Sequence, residues 1–347
     1  RQRQMCIRDR GREEPPTQST DKESVTSPER CHGCRAGGLI MVGSRRTPLG
    51  AWILLAVAVL AVSSGGIVLQ EMNRIPPILR ASWRMQGTAL VLLPGFVYQS
   101  LKSDYGIPER KESIALLFSS LFLALHFGSW VWSLDNTSLV HSLLFVNTHP
   151  LVLVAIMPLL GKAVTRGHMA GVTIGLTGAF FALMEVGDGG TASLHGDAAA
   201  FIGAVTVVGY LLAGRYLRSE KGMPIFIYAF PVTIMAGAWL TLYSMAAEGT
   251  SPYGLTPESS ILGWLDWAWL PWVAFLSIGP GLCGHTGINT VLRWVSPIVV
   301  SITMLMEPVL GTLIGLAWTG EADIGPLTIL CLLYTSQSQR DVEESRM

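Results

Sequence analysis

The chain has 347 residues, 50% of them hydrophobic and only 14% charged, and its net charge is zero. Soluble domains carry about 25% charged residues, so this composition excludes an ordinary soluble globule. The zero balance also excludes the basic footprint of a nucleic-acid binder. Five cysteines are too scattered to suggest a disulfide framework.

In chain order, residues 3–10 (RQMCIRDR) resemble translated sequencing-adapter read-through, and 1–10 are set aside as a scar. Residues 11–48 are polar and rich in Arg, Ser, Pro and Gly, which reads as a disordered cytosolic tail. Cys31 and Cys34 flank His32 there, but no second ligand pair accompanies them, so no metal centre is expected. From Leu49 the sequence is a series of long apolar runs. Crossing a hydrocarbon core of about 30 Å takes about 20 helical residues, and lipid leaves no backbone group a partner outside the helix. The expected spans are 50–70, 77–98, 113–134, 138–160, 168–186, 197–217, 224–247, 268–290, 296–318 and 323–334. Residues 331–347 again resemble adapter read-through, which would leave the tenth span a stub.

Lys and Arg in the connections set the direction. With the N-terminus inside, the inner side receives Arg35, Arg45, Arg46, Lys102, Arg110, Lys111, Lys162, Arg166, Arg215, Arg218, Lys221 and Arg293. The outer connections hold Arg74 and a series of acids including Asp135, Asp197, Glu248, Glu258 and Asp266. The connection from Glu248 to Asp266 precedes a cluster of Trp264, Trp267, Trp269 and Trp272, expected as an interfacial belt.

Periodicity at half the chain length is informative. An offset of 158 lays Leu134–Ser138 on Leu292–Ser296 and His149-Pro150 on Glu307-Pro308, and an offset of 147 lays Pro77-Ile78 on Pro224-Ile225. The reading is two five-helix repeats, 49–186 and 197–330, in opposite orientation because five is odd. Inverted repeats of this kind recur in secondary transporters, with the site at mid-membrane between the halves.

The stretch 126–138 (HFGSWVWSLDNTS) with 147–151 (NTHPL) resembles a first EamA domain, and 284–297 (GHTGINTVLRWVSP) with 306–309 (MEPV) resembles a second. Pro77 followed by Arg84 also resembles the second-span pattern of that family. The resemblance covers about residues 50–330 and implies the ten-helix fold of the drug/metabolite transporter superfamily. It departs at His149, where a smaller residue is more usual, and in an acidic ending shifted to Glu321. It implies carriage of a small organic solute (metabolite, amino acid or drug-like) by alternating access, with protons as a candidate coupling ion. Relatives that carry sugar phosphates place Lys and Arg in the late spans, where this chain has only Arg293.

Ionisable groups within spans normally face protein or a watery cavity. Glu307 and Thr303 share a helical face with Ser296, Val300 and Gly311, and His149 shares one with Ser138, His141 and Phe145. Both Glu307 and His149 precede a proline, which loosens the helix. The candidate substrate-binding residues are therefore Glu307, His149, Thr303, His141, Trp130, Asn147, His126, His285, Asn289 and Arg84. For Arg84 an interhelical pair or snorkelling to the interface is the competing expectation, and for Glu307 a purely structural hydrogen-bonding role. Gly171-x-x-x-Gly175 and Gly311-x-x-x-Gly315 are small-residue packing signals.

The expectation is thus an all-α, multi-pass protein of the cell membrane whose partners are the bilayer, a small solute and protons, with no cofactor. The alternatives are a non-transporting sensor or partner subunit, and a membrane-embedded enzyme, for which neither an H-E-x-x-H nor a G-x-S-x-G motif is present. Accessibility tags after Leu160 and after Leu217 are expected to report cytosolic exposure, and a tag after Gly187 the opposite side. The reverse pattern would overturn the topology.

Overall fold

A computed structural model of the protein describes residues 47–137, 139–185 and 193–319, all within the unit Arg46–Met347. The N-terminal stretch and tail, Ser138, the acids Asp188 and Glu321, the tenth expected span and the closing stretch lie outside the described residues. Apart from an isolated bridge between Ser251 and Ser260, regular structure among the described residues is helical. The α-helices are α1 (Leu49–Ser63), α2 (Gly65–Glu71), α3 (Pro77–Lys102), α4 (Arg110–Asn136), α5 (Leu139–Val146), α6 (His149–Ile156), α7 (Arg166–Glu185), α8 (Leu194–Arg215), α9 (Ile225–Ala247), α10 (Leu270–Leu276), α11 (Gly287–Val291), α12 (Pro297–Met304) and α13 (Glu307–Thr319). A π-helical turn, Tyr216–Glu220, extends α8, and a longer π segment, Ser277–Thr286, joins α10 to α11.

Four helical segments are long and apolar enough to cross a membrane, Leu49–Glu71, Arg110–Asn136, Leu194–Glu220 and Ile225–Ala247, with shorter apolar helices at His141–Ile156 and Pro297–Gly311. Helix α3 is not among the four because it carries Arg80, Arg84 and Gln86. Those side chains point inward, where Arg80 and Arg84 are completely enclosed. The core forms where α3 packs on α9, α4 packs on α8 and α9, and α1 packs on the π segment and α11. The small-residue signals are helix contacts: Gly175 lies against Leu305, and Gly311 against the backbone of Ser63.

Two helices that the sequence pattern treats as continuous are broken. Helix α5 ends at Val146, and α6 begins at His149 after a turn at Asn147–Thr148. Helix α12 ends at Met304, and α13 begins at Glu307 after a turn at Leu305–Met306. Proline explains both breaks. A helical proline clashes with the carbonyl four residues back, and four residues before Pro150 and Pro308 stand Val146 and Met304, the last residues of α5 and α12. At the second position of a new helix the missing N–H costs nothing, so proline starts what it interrupts. The breaks recur at the spacing of 158 residues that relates His149 to Glu307. The single helical faces expected through His141 and His149, and through Thr303 and Glu307, therefore do not exist.

Helices α3 and α9 run antiparallel and cap one another. Each is preceded by a proline N-cap, Pro76 and Pro224, with no side-chain oxygen to accept the free N–H groups of the first turn. The carboxylate of Glu248, just past α9, accepts from Ile78 N at 2.7 Å and Leu79 N at 2.9 Å. At the other end Gln99 Oε1 on α3 accepts from Phe226 N at 2.8 Å. Glu248→Ala is expected to lower stability by about 1–2 kcal/mol, the size of a lost N-cap, read as a lower melting temperature in detergent. Glu248→Gln should recover part of the loss.

Candidate functional site

The π segment and the two helix breaks converge on one interior cavity. It is lined by Val62 of α1, Arg84 of α3, His126 and Trp130 of α4, Val146 of α5, Asn147 and His149 at the first break, Val207 of α8, His285 of the π segment, and Met304 and Glu307 at the second break. In this conformation it is narrow, with room for about one water molecule.

Arg84 is 1% exposed. Its guanidinium lies over the ring of Phe127, 4.3 Å from the ring centre, a cation–π contact that fixes its plane. Its Nε has no hydrogen-bond partner. Glu307 is the carboxylate whose field reaches Arg84, yet no ion pair within 4.0 Å joins them among the described residues. The expectation that Arg84 pairs between helices or snorkels to the interface is thus corrected: that role belongs to Arg80. The Arg80 guanidinium donates to Leu69 O at 2.7 Å and forms an ion pair with Asp135.

The histidines divide the wall. His126 Nδ1 lies 2.9 Å from Gly203 O, and its ring centroid is 6.4 Å from that of His285. His149 Nδ1 lies 3.1 Å from Val146 O, while its Nε2 is near the Ser301 backbone but makes no hydrogen bond. Trp130 Nε1 and Asn147 Oδ1 are also buried without partners, the Asn147 amide donating to Leu143 O at 2.9 Å.

Seven of the ten sequence candidates, Glu307, His149, Trp130, Asn147, His126, His285 and Arg84, line this cavity. Three do not. His141 sits at the acidic end of the bundle, its Nδ1 3.0 Å from Asp197 Oδ2, because the break after α5 separates it from His149. The Thr303 hydroxyl donates back to Val299 O at 2.8 Å within α12. Asn289 is occupied structurally, donating to Tyr210 OH at 2.5 Å and to His285 O at 2.8 Å.

Both ends of the bundle are tied. At the acidic end Trp83 Nε1 donates to Ser260 O at 3.1 Å, and Trp264 Nε1 donates to Gln86 Oε1 at 2.9 Å. Two of the expected belt tryptophans, Trp264 and Trp269, are therefore buried anchors of the 251–269 connection, whereas Trp267 is exposed. At the basic end Arg215 donates to Leu292 O at 2.6 Å, Arg218 donates to Asn289 O at 3.2 Å, and Lys221 approaches Glu109 and Glu112 at 3.7 and 3.8 Å. Sequence reasoning placed these basic residues on the inner side but passed over the buried pair of Tyr228 OH with Ser119 Oγ at 2.8 Å. Its signals were faint, since single hydroxyls in apolar runs look like ordinary packing.

Residues 49–184 match the EamA-like transporter family. That segment holds seven of the cavity's lining residues, from Val62 to His149, so the EamA-like segment supplies more than half of the wall. That family is one of membrane transporters, and four helical segments of the chain are long and apolar enough to cross a membrane. A crystal structure described simply as that of a protein is 18% identical, with a TM-score of 0.65 over 84% of this chain and 95% of the other. At that identity the likeness is one of fold. No curated protein matches the chain in sequence.

Asn289→Ala leaves the Tyr210 hydroxyl and the His285 carbonyl without their shared donor. The expected outcome is a loss of about 1–3 kcal/mol of stability, seen as a lower melting temperature. An unchanged melting temperature would show that Asn289 does not hold these two groups together.

Proposed function

We propose that the chain is a secondary transporter that moves a small organic solute by alternating access of two inverted five-helix halves. It works as a ten-span protein of the cell membrane, N-terminus in the cytosol, with the proton gradient as candidate driving force. The observation that carries this reading is the composition of the cavity wall. Arg84, His126, Trp130, Asn147 and His149 come from the first half, and His285 and Glu307 from the second, so rocking one half against the other opens or closes the site. The matched breaks before His149-Pro150 and Glu307-Pro308, and the mutual capping of α3 and α9, support an approximate twofold relation between the halves. Discontinuous helices that end at the site are a recurring device of carriers. The ties at both ends, with a cavity barely large enough for water, suit a closed intermediate between outward- and inward-open forms.

Uptake into proteoliposomes tests the proposal against a panel of amino acids, amines, nucleosides and drugs, with and without a proton gradient. One class is expected to accumulate, and Glu307→Gln to lower its rate roughly tenfold or more, as loss of a buried charged contact predicts. If nothing in the panel moves, and Glu307→Gln leaves folding and cell phenotype unchanged, the reading fails.

A further inference from the structure

A second cavity lies at the basic end of the bundle and shares no lining residue with the central one. It is a space of about 130 Å³ between the end of α6, the 161–165 connection, α8 and the start of α12. Its floor is apolar, made by Leu153, Met157, Leu212, Pro297 and Ile298. Leu153 and Ile298 belong to a small hydrophobic cluster with Val172, Val208 and Ile302, separate from the main core. The rim is polar and includes Lys162, His168 and Ser296.

Local chain chemistry sets Lys162 on that rim. Pro158 opens a single 3-10 turn, and Gly161 ends it in the left-handed region at φ 67°, which glycine adopts without steric cost. Lys162 N then donates to Met157 O at 2.9 Å. Further on, Thr165 N donates to His168 Nδ1 at 3.3 Å and His168 N to Thr165 Oγ1 at 3.1 Å, tying the connection to α7. The side chains of Lys162 and Arg166 stay exposed, and neither has an ion pair among the described residues.

The charge around this cavity is of one sign. Every lining residue falls within 149–184, 198–219 or 267–306. Those stretches contain Lys162, Arg166, Arg215, Arg218 and Arg293 but no Asp or Glu. A soluble anion would use the rim and leave the apolar floor bare, and an uncharged acyl chain would do the reverse. A ligand that is anionic at one end and apolar at the other answers both. Leu159 and Leu160, 85% and 48% exposed, continue the apolar surface outward beside Lys162. The space admits the upper part of an acyl chain, with the remainder lying along that surface.

We propose that this cavity binds an anionic phospholipid from the leaflet at the basic end. Its phosphate sits on Lys162, with Arg166 four residues on adding to the field, and one acyl chain starts down the floor over Leu212 and Ile298. Juxtamembrane Lys and Arg attract anionic leaflets in general, and here an apolar seat beside the cation selects a single molecule. The bound lipid bridges α6 and the start of α7 to α8 and α12. The site stands whatever the central cavity carries.

The test uses the purified full chain in detergent, with phosphatidylglycerol and phosphatidylcholine of matched acyl chains. Retained lipid is read by native mass spectrometry and stabilisation by the melting temperature. Phosphatidylglycerol is expected to bind roughly tenfold or more tightly than phosphatidylcholine. Lys162→Gln should remove most of that preference and Lys162→Arg should keep it, with unchanged melting temperatures in the absence of lipid. Lys102→Gln is the control for general surface charge, because Lys102 lies over Tyr98 at the end of α3, outside the cavity. It should leave the preference intact. Equal retention of the two lipids, or an equal loss in the Lys102 and Lys162 variants, overturns the proposal. Stabilisation by inorganic phosphate as large as that by phosphatidylglycerol would make the ligand a soluble anion and also overturn it. A lipid-free dimer abolished by Lys162→Gln would give the surface to a second copy instead.

Discussion

Arg84 is enclosed in protein with no ion pair among the described residues, and the carboxyl group of Glu307 lines the same cavity. The surrounding architecture serves to make that arrangement tolerable. In lipid a lone guanidinium would be drawn to the interface. Here the flat face of Phe127 and a carboxylate at the start of a helix hold it in the interior. The polar groups nearby avoid lipid by lining the cavity or by bonding to neighbouring helices, as His126 does to Gly203 O.

Two prolines make the geometry possible. Without a break before His149 and before Glu307, each of these residues would lie on the flank of a long helix, facing wherever its turn happened to point. The breaks convert both positions into helix beginnings that meet at one point. The π segment does something similar for His285: a locally widened helix, of the kind often found at functional sites, delivers a side chain that a regular helix would carry elsewhere.

Much of the helical order was legible because apolar length and loop charge are strong signals that survive without packing information. Helices at 49–71, 77–102, 110–136, 194–220 and 225–247 fall where the apolar runs do. What periodicity could not supply was continuity. A 3.6-residue period assumes an unbroken helix, so His141 was grouped with His149, and Thr303 with Glu307, although the prolines that separate them were in plain view. Most cavity residues were found because a polar group in an apolar run is conspicuous. The valines and Met304 that complete the wall were not, since an apolar side chain beside a cavity is spelled like one facing lipid.

The exchanged caps of α3 and α9 have a consequence for biosynthesis. The carboxylate that completes the first turn of α3 lies 170 residues downstream, and the amide that completes α9 is 127 residues upstream of its partner. As the chain leaves the ribosome, α3 must wait with open N–H groups until most of the described bundle has been made. When α9 arrives, both ends close together. Pairing of α3 with α9 is therefore part of how each finishes its own first turn.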